Sequence, residues 1–358
     1  MRNKGGVLVK KERILYLDLV RILSFVMVTM YHFSVAAKMY GINAKLDGYQ
    51  SVSHIMAPLA LSAFFMVSGA ALIFQYSDKC SLKEFYKKRF LGIFPLFWLA
   101  YLFAFLDYFY YAGAMPEAPK VNFLLTVIGM DGYLNDYLPT FYLLGEWFLG
   151  MIVMLYLLFP LYRWVMLKCK YILPAIFLAG SVWLLLANPF PMVIEKNLIV
   201  CSFYFVLGMM IEMIRLGADK KAFAVGRRIA AAVGLVLFIL LLAAEAKALP
   251  VNSYCKIFIR TVSCYMILME AAEWIKGKRI RKLIDIVGRH SYAFFLIHHV
   301  FLHRYLARWS GAVLSGSNTL VLFASSMTYI YLLAVALDRV YSYLRKAAER
   351  WRKQDGRQ

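Results

Sequence analysis

The amino-acid sequence predicts an all-α fold, a polytopic membrane bundle of about ten transmembrane helices. Hydrophobic residues make up 62% of the 358 residues and charged residues only 17%, whereas a soluble domain has about 45–50% apolar and about 25% charged residues. The apolar residues are gathered in repeated runs of about 20, the length of helix that crosses a bilayer. The net charge of +21 is distributed between these runs, which is typical of membrane topology and argues against a nucleic-acid partner.

Ten apolar segments are long enough to span the bilayer, and they form one membrane domain over residues 14–340. The predicted spans are 14–36, 54–76, 91–111, 139–161, 171–187, 198–215, 229–246, 254–275, 287–309 and 318–340. A cytoplasmic N-terminal segment, 1–13, precedes this domain, and a short basic cytoplasmic tail, 341–358, follows it. The connection 112–138, rich in proline and glycine, is either a surface lid or a connector, and we expect a connector.

The basic residues determine the expected orientation. With these ten spans, 31 lysines and arginines lie in the connections and termini on one side, and seven lie on the other. Cytoplasmic segments carry the excess of lysine and arginine in membrane proteins. The sequence therefore predicts a multi-pass protein of the cell membrane with both termini in the cytoplasm.

The first span carries charged residues that a membrane helix normally excludes. The eleven residues from Arg21 to His32 make about three helical turns, or about 16 Å. Asp18, Arg21 and His32 therefore share one face, with an ion pair at one end and an imidazole at the other. Ionisable groups in a membrane helix usually face a protein or water cavity and mark function. The alternative interpretation is an interfacial ion pair and a packed histidine.

Three later segments carry candidate residues with competing interpretations. Ser68-Gly69 in the second span favours close helix packing, with ligand binding by Ser68 as the alternative. Lys88 and Arg89 belong to a basic cluster where the third helix begins, which suits phosphate binding as well as simple topological anchoring. Trp147 in the fourth span fits the aromatic belt at the membrane interface.

The eighth and ninth spans add further ionisable residues. Arg260 either reaches the outer interface or pairs with Glu245. His298 and His299 are adjacent, so they point about 100° apart on a helix, and at most one of them faces a given cavity. Metal binding is disfavoured, because no acidic or cysteine partner lies at ligand spacing.

Together these motifs resemble the acyltransferase 3 family of integral membrane acyltransferases. The matching stretches are Tyr16–Arg21 with His32, Phe64–Gly69, Phe85–Arg89 with Ile93–Pro95, Trp147–Leu149 with Tyr156 and Pro160, and Ser291–Tyr292 with Leu296–His298. They occur in order from about residue 13 to 340, nearly the whole chain. Each motif is short, and the resemblance depends on their order and spacing. It is closest to the branch without a fused extracytoplasmic domain.

The resemblance implies an O-acyltransferase that uses acyl-CoA, commonly acetyl-CoA, from the cytoplasm and no bound cofactor or metal. The acceptor would be a hydroxyl of a cell-envelope polysaccharide, glycolipid or related molecule, reached from outside, and the lipid bilayer would be the other partner. His32 would be the general base, with His298 as the rival base. The other implied site residues are Arg21 in catalysis, Arg89, Lys88 and Ser68 in donor binding, and Asp18, Ser291, Tyr292 and Trp147 in support.

Three positions depart from the pattern of the family. Gly92 stands where many members have a second arginine, Ile152 where many have a glutamate, and Phe295 where tyrosine is frequent. A role in binding the phosphates of the donor therefore rests on Arg89.

Two other functions also fit a membrane bundle with buried basic and histidine residues. One is a transporter or flippase of an envelope glycan or acyl intermediate, although no inverted repeat is visible in the sequence. The other is a membrane sensor or anchor for a partner protein.

Overall fold

The computed structural model describes residues 14–44, 49–144, 146–247 and 252–355, and these residues form an all-α bundle. Its helices are α1 (Leu15–Met39), α2 (Tyr49–Tyr76), α3 (Leu82–Ala112), α4 (Phe123–Val127), α5 (Asp131–Leu134), α6 (Glu146–Lys168), α7 (Ile172–Leu186), α8 (Leu198–Gly217), α9 (Lys220–Ala246), α10 (Ser253–Trp274), α11 (Lys278–Arg289), α12 (Ser291–Ala307) and α13 (Gly316–Asp355). Lys120–Asn122 and Ile194–Lys196 form single 3-10 turns. Two short strands, β1 (Asn43–Ala44) and β2 (Val313–Leu314), pair in parallel. The predicted fold class is confirmed.

Each of the ten predicted spans coincides with a helix. Seven helices are long and apolar enough to cross a membrane, namely α1, α2, α3, α6, α8, α9 and α13. The protein is therefore a multi-pass membrane protein. Helix α7 is apolar but has only 15 residues, α12 has 17, and α10 carries Lys256, Arg260 and Glu270 within its length.

The structure corrects two predicted boundaries. The fourth span was expected at 139–161, but residues 139–144 are irregular and α6 begins at Glu146. The ninth span was expected at 287–309, but the helix breaks at His290, and residues 287–289 end the basic helix α11. The Nδ1 atom of His290 lies 2.6 Å from Oδ2 of Asp338, and the Ser291 hydroxyl donates to the Gly288 carbonyl over 2.8 Å. These contacts hold the chain at the break.

Two glycines allow the central helices to touch along their backbones. A Cβ atom added to Gly69 of α2 would lie 2.0 Å from the carbonyl oxygen of Phe205, and one added to Gly208 of α8 would lie 2.0 Å from that of Met66. Small residues permit this close approach between membrane helices. Gly69 therefore has the packing role that the sequence predicts, and α2 and α8 form the centre of the bundle, with α1 packed against α2.

The basic end of the bundle is the end where α1 and α3 begin and α2 ends. There the Tyr16 hydroxyl donates to the buried carboxylate of Glu212 over 2.7 Å, and Arg215 donates to the same carboxylate. Arg163 of α6 donates to the Tyr76 carbonyl over 2.6 Å. Basic side chains near a helix C-terminus stabilise its last carbonyls, so this contact fixes the end of α2 beside α6.

At the opposite end, β1 and β2 join the end of α1 to the segment after α12. The connection between α3 and α6 folds onto the same end, because Trp98 donates to the Val127 carbonyl over 2.9 Å and Tyr101 donates to the Phe141 carbonyl over 2.7 Å. Helix α3 ends at Gly113, whose φ of +65° favours glycine. The expected connector is thus an ordered cap over this end.

Candidate active site

A main cavity of about 340 Å³ lies among α1, α2, α3, α6 and α12. Six of the predicted site residues line it, from four different helices: Arg21, Ser68, Lys88, Arg89, Ser291 and Tyr292. The exposed Lys88 and Gly92 place its mouth at the basic end. The structure therefore brings together side chains that are distant in the sequence.

Arg89 lies in the main cavity between two aromatic rings. Its guanidinium carbon is 5.9 Å from the ring centroid of Phe85 and 5.7 Å from that of Tyr156. Within the described residues, its buried Nε has no hydrogen-bond partner. A guanidinium presents its donors in a planar fork that fits the oxygens of phosphate or carboxylate groups. The site can therefore bind an anion.

Arg21 is a second cation in the main cavity, and Asp18 holds it in place. Arg21 donates to Oδ1 of Asp18 over 3.0 Å, and the Asp18 side chain is only 3% exposed. The pair bridges one helical turn, as the sequence predicts. Because Asp18 is buried behind Arg21, it orients the guanidinium, and it does not line the main cavity.

The far side of the main cavity is formed by the start of α12. The Tyr292 hydroxyl donates to the Ile93 carbonyl over 3.0 Å, which ties α12 to α3. Ser291 faces both the main cavity and the space beyond it. The helix break at His290 thus places two polar residues beside the cavity.

A narrow neck leads from the main cavity towards the opposite end. It has a volume of about 20 Å³ and shares Phe64, Phe148, Ser291 and Phe295 with the main cavity. The rings of Phe148 and Phe295 are 5.3 Å apart. At its other end the neck reaches His298. The space is about that of one water molecule.

Four histidines, His32, His298, His299 and His303, form a histidine cluster beyond the neck. The ring centroid of His32 is 5.1 Å from that of His298 and 4.9 Å from that of His299. His299 and His303 are 4.7 Å apart. The Nδ1 atom of His298 lies 2.7 Å from the Phe295 carbonyl, which can only accept. In a neutral ring Nδ1 therefore carries the proton and Nε2 is the basic atom.

Trp147 and Arg260 also lie outside the main cavity, and each has a structural role. Trp147 packs against Phe65 and Phe148, with ring centroids 6.3 Å away in both cases. Arg260 is buried and pairs with Glu245, which confirms one of the two interpretations of that residue. In the part of the chain described by the structure, no group of three or more His, Cys, Asp or Glu side chains is arranged to hold a metal ion.

Several residues that complete the site were not predicted as site residues, although Tyr156, Phe64 and Phe148 belong to the motifs of the family resemblance. Gln75 and Tyr156 line the main cavity, and Phe64 and Phe148 form the neck. Aromatic residues are frequent throughout the apolar segments, so nothing in the pattern distinguishes these. His303 could have been found, because it follows His299 by four residues and therefore lies on the same helical face.

A comparison with protein families identifies the family of the chain. The family model of the acyltransferase 3 domain matches residues 14–339, nearly the whole chain. No curated protein and no solved structure gives a significant match. The chain belongs to the acyltransferase 3 family, whose members are acyltransferases that transfer groups other than aminoacyl groups.

Proposed function

We propose that the protein is an O-acyltransferase of the cell membrane that transfers an acyl group, most simply acetyl, from acyl-CoA to a hydroxyl of an envelope polysaccharide or glycolipid. Acyl-CoA binds at the basic end, which lies in the cytoplasm together with both termini. The acceptor enters from the opposite end. The observation that carries this proposal is Arg89, which lines the main cavity and whose buried Nε is unpartnered among the described residues.

The charges of the main cavity support acyl-CoA as the donor. Arg21, Lys88 and Arg89 all line it, and among the described residues only Arg21 forms an ion pair there. Phosphate groups bind such side chains through short, charge-assisted hydrogen bonds. Lys88 is exposed at the mouth, so the nucleotide part of the donor would lie there and its thioester would point inwards.

The neck and the histidine cluster support the transfer step. The base takes the proton of the acceptor hydroxyl, the oxygen attacks the thioester carbon, and the carbon–sulfur bond breaks to release the CoA thiolate. Histidine is the usual base near neutral pH. Either Nε2 of His298, at the end of the neck, or the adjacent His32 suits this role. Arg21 lines the main cavity about three helical turns from His32, so its positive charge acts on the donor rather than on the bond that forms beside the histidines.

The small volume of the neck favours acyl transfer over transport of a glycan. A volume of about 20 Å³ holds about one water molecule, whereas a sugar unit is many times larger. An acyl group on a flexible thioester arm needs only to reach into this space. A transporter would require the aromatic rings at the neck to separate widely.

Purified protein in lipid vesicles, supplied with radiolabelled acetyl-CoA and de-esterified envelope polysaccharide, tests the proposal. Covalent label on the polysaccharide supports acyl transfer. Movement of unmodified polysaccharide across the vesicle would support transport, and neither result would support a sensor or anchor.

A further inference from the structure

We propose that the histidine cluster is a proton relay, in which His299 and His303 carry the proton of the acceptor hydroxyl to the opposite end of the bundle. The four rings form a continuous series. His298 is buried at the end of the neck, His32 and His299 lie beside it, and His303 is half-buried one turn further along α12. The ring of His303 lies 5.8 Å from that of Tyr40, the residue that caps α1 at that end.

Imidazoles are suited to pass a proton along such a series. A neutral ring accepts a proton on one nitrogen and releases the proton of the other, so adjacent rings exchange protons by changing tautomer. The ring separations of 4.9 Å and 4.7 Å allow exchange directly or through one water. His303 provides the last ring before the exposed residues Lys38 and Met39.

Proton transfer in the other direction, from the base towards the basic end, is electrostatically unfavourable. A proton that moved from the base towards the basic end would enter a cavity lined by Arg21, Lys88 and Arg89. Like charges repel, and water screens this repulsion less inside the protein than at its surface. The neck adds a second barrier, because apolar rings surround most of it.

Few charges oppose the release of the proton from His303 at the opposite end. Arg304 follows His303, but it donates to Asp107 over 2.8 Å and its guanidinium lies over the ring of Tyr111. On α1, the titratable neighbour of His32 is Tyr31, whose ring is 5.2 Å away. Another cation at this end, Lys38 in the last turn of α1, is exposed to solvent, so the relay ends beside a paired and a solvated cation.

This arrangement has a consequence for proton balance, and it rests on the proposed function. The acceptor loses its hydroxyl proton at the opposite end as its oxygen bonds to the acyl carbon. The CoA thiolate, released at the basic end, takes a proton from water there. Each transfer therefore consumes one proton in the cytoplasm and releases one outside, although the overall reaction neither produces nor consumes protons.

Proton counting in vesicles tests the relay. Vesicles hold the protein, de-esterified polysaccharide and a pH-sensitive dye inside, with valinomycin and equal potassium on both sides. Acetyl-CoA added outside reaches only molecules with the basic end outward. We expect one proton to appear inside for each CoA released. Ester formation without internal acidification would overturn the relay but not the transferase, and absence of any ester would refute both.

A variant pair gives a second test. His303→Gln should lower kcat by at least about tenfold without changing KM for acetyl-CoA, and imidazole sealed inside the vesicles should restore the rate. Tyr305→Phe is the matched control, because Tyr305 lies on the same helix but donates to Ser325 of α13, and it should behave like the wild type. If His303→Gln fails to fold, His299→Gln replaces it. Wild-type turnover and proton yield in either histidine variant would contradict the relay.

Discussion

The imidazoles of His32 and His298 meet edge to face, with ring centroids 5.1 Å apart and planes at 64°. They come from α1 and α12, which are brought together only by the tertiary fold. The neck ends at His298, whereas His32 lies behind it, between His298 and His299. Because the two rings are adjacent, we expect them to act as a pair in the proposed reaction.

We expect His298→Ala and His32→Ala each to reduce turnover by about 10²–10⁴-fold, the usual contribution of acid–base catalysis. If the rings act as a unit, the double variant should be about as slow as the slower single variant, because such effects are not additive. Rates of acyl transfer at saturating acetyl-CoA measure this. Near-normal turnover in a folded single variant would remove that histidine from the catalytic pair.

Arg89→Ala should weaken acetyl-CoA binding by about 10–100-fold, since a hydrogen bond to a charged group contributes about 1.5–3 kcal/mol. Lys83→Ala is the matched control, because Lys83 belongs to the same basic cluster but is exposed and does not line the main cavity. Binding isotherms at equal ionic strength compare the two. Equal small losses would mean that the cluster serves only as a topological anchor.

Gly92→Arg should tighten acetyl-CoA binding, because it adds a second arginine beside Arg89. Gly92 lines the main cavity, and an added Cβ would meet no atom within 4 Å. Gly92→Ala is the control, because it increases helix propensity without adding a charge. It should raise stability by about 0.5–1 kcal/mol and leave affinity unchanged. Unchanged affinity in Gly92→Arg would place the phosphates away from this turn of α3.

Asp131, in the cap between α3 and α6, should make stability depend on pH. Burial raises the pKa of its carboxyl to about 7, and within the described residues its Oδ2 has no hydrogen-bond partner. An unfolded chain releases this proton near pH 4. Between about pH 4 and 7 the native state binds more protons, so the free energy of unfolding falls as the pH rises.

The variant Asp131→Asn should remove this decrease in the free energy of unfolding at higher pH. The gain in its free energy of unfolding over the wild type should be absent at pH 4 and increase up to pH 7. It should reach at most about 4 kcal/mol, from about three pKa units. Thermal unfolding in detergent across this pH range measures it. Asp136→Asn is the control, because Asp136 is more exposed and pairs with Lys196. The same pH dependence in Asp131→Asn and the wild type would exclude Asp131 as the source.

Two native cysteines report the orientation of the bundle. Cys80 follows α2 at the basic end, and Cys255 is exposed in the first turn of α10. In variants that keep one of them, an impermeant maleimide should label Cys80 only after the cells are permeabilised, and Cys255 in intact cells. Burial raises the pKa of the Cys80 thiol and slows its reaction, so each cysteine is compared with itself. Labelling of Cys80 in intact cells would reverse the topology.

The sequence predicted the parts of the fold and site that local patterns determine. Each of the ten apolar segments coincides with one of the thirteen helices of the described residues, and helical spacing identified the pair of Asp18 and Arg21. The break at His290 was missed, because it depends on a contact with Asp338 on α13. The neck was missed for a related reason: Phe64, Phe148 and Phe295 come from three helices, and only their packing distinguishes them from other aromatic residues.

The narrowness of the neck also determines whether the membrane stays electrically insulated. The main cavity on one side and the histidine cluster on the other shorten the apolar region of the protein that separates the two sides of the membrane. The transmembrane voltage, worth about 2.3 kcal/mol per elementary charge per 100 mV, therefore falls mainly across the rings of Phe64, Phe148 and Phe295. With space for about one water molecule, these rings interrupt any continuous file of water. The three phenylalanines that narrow the proposed path of the acyl group thus also limit the leakage of ions across the membrane.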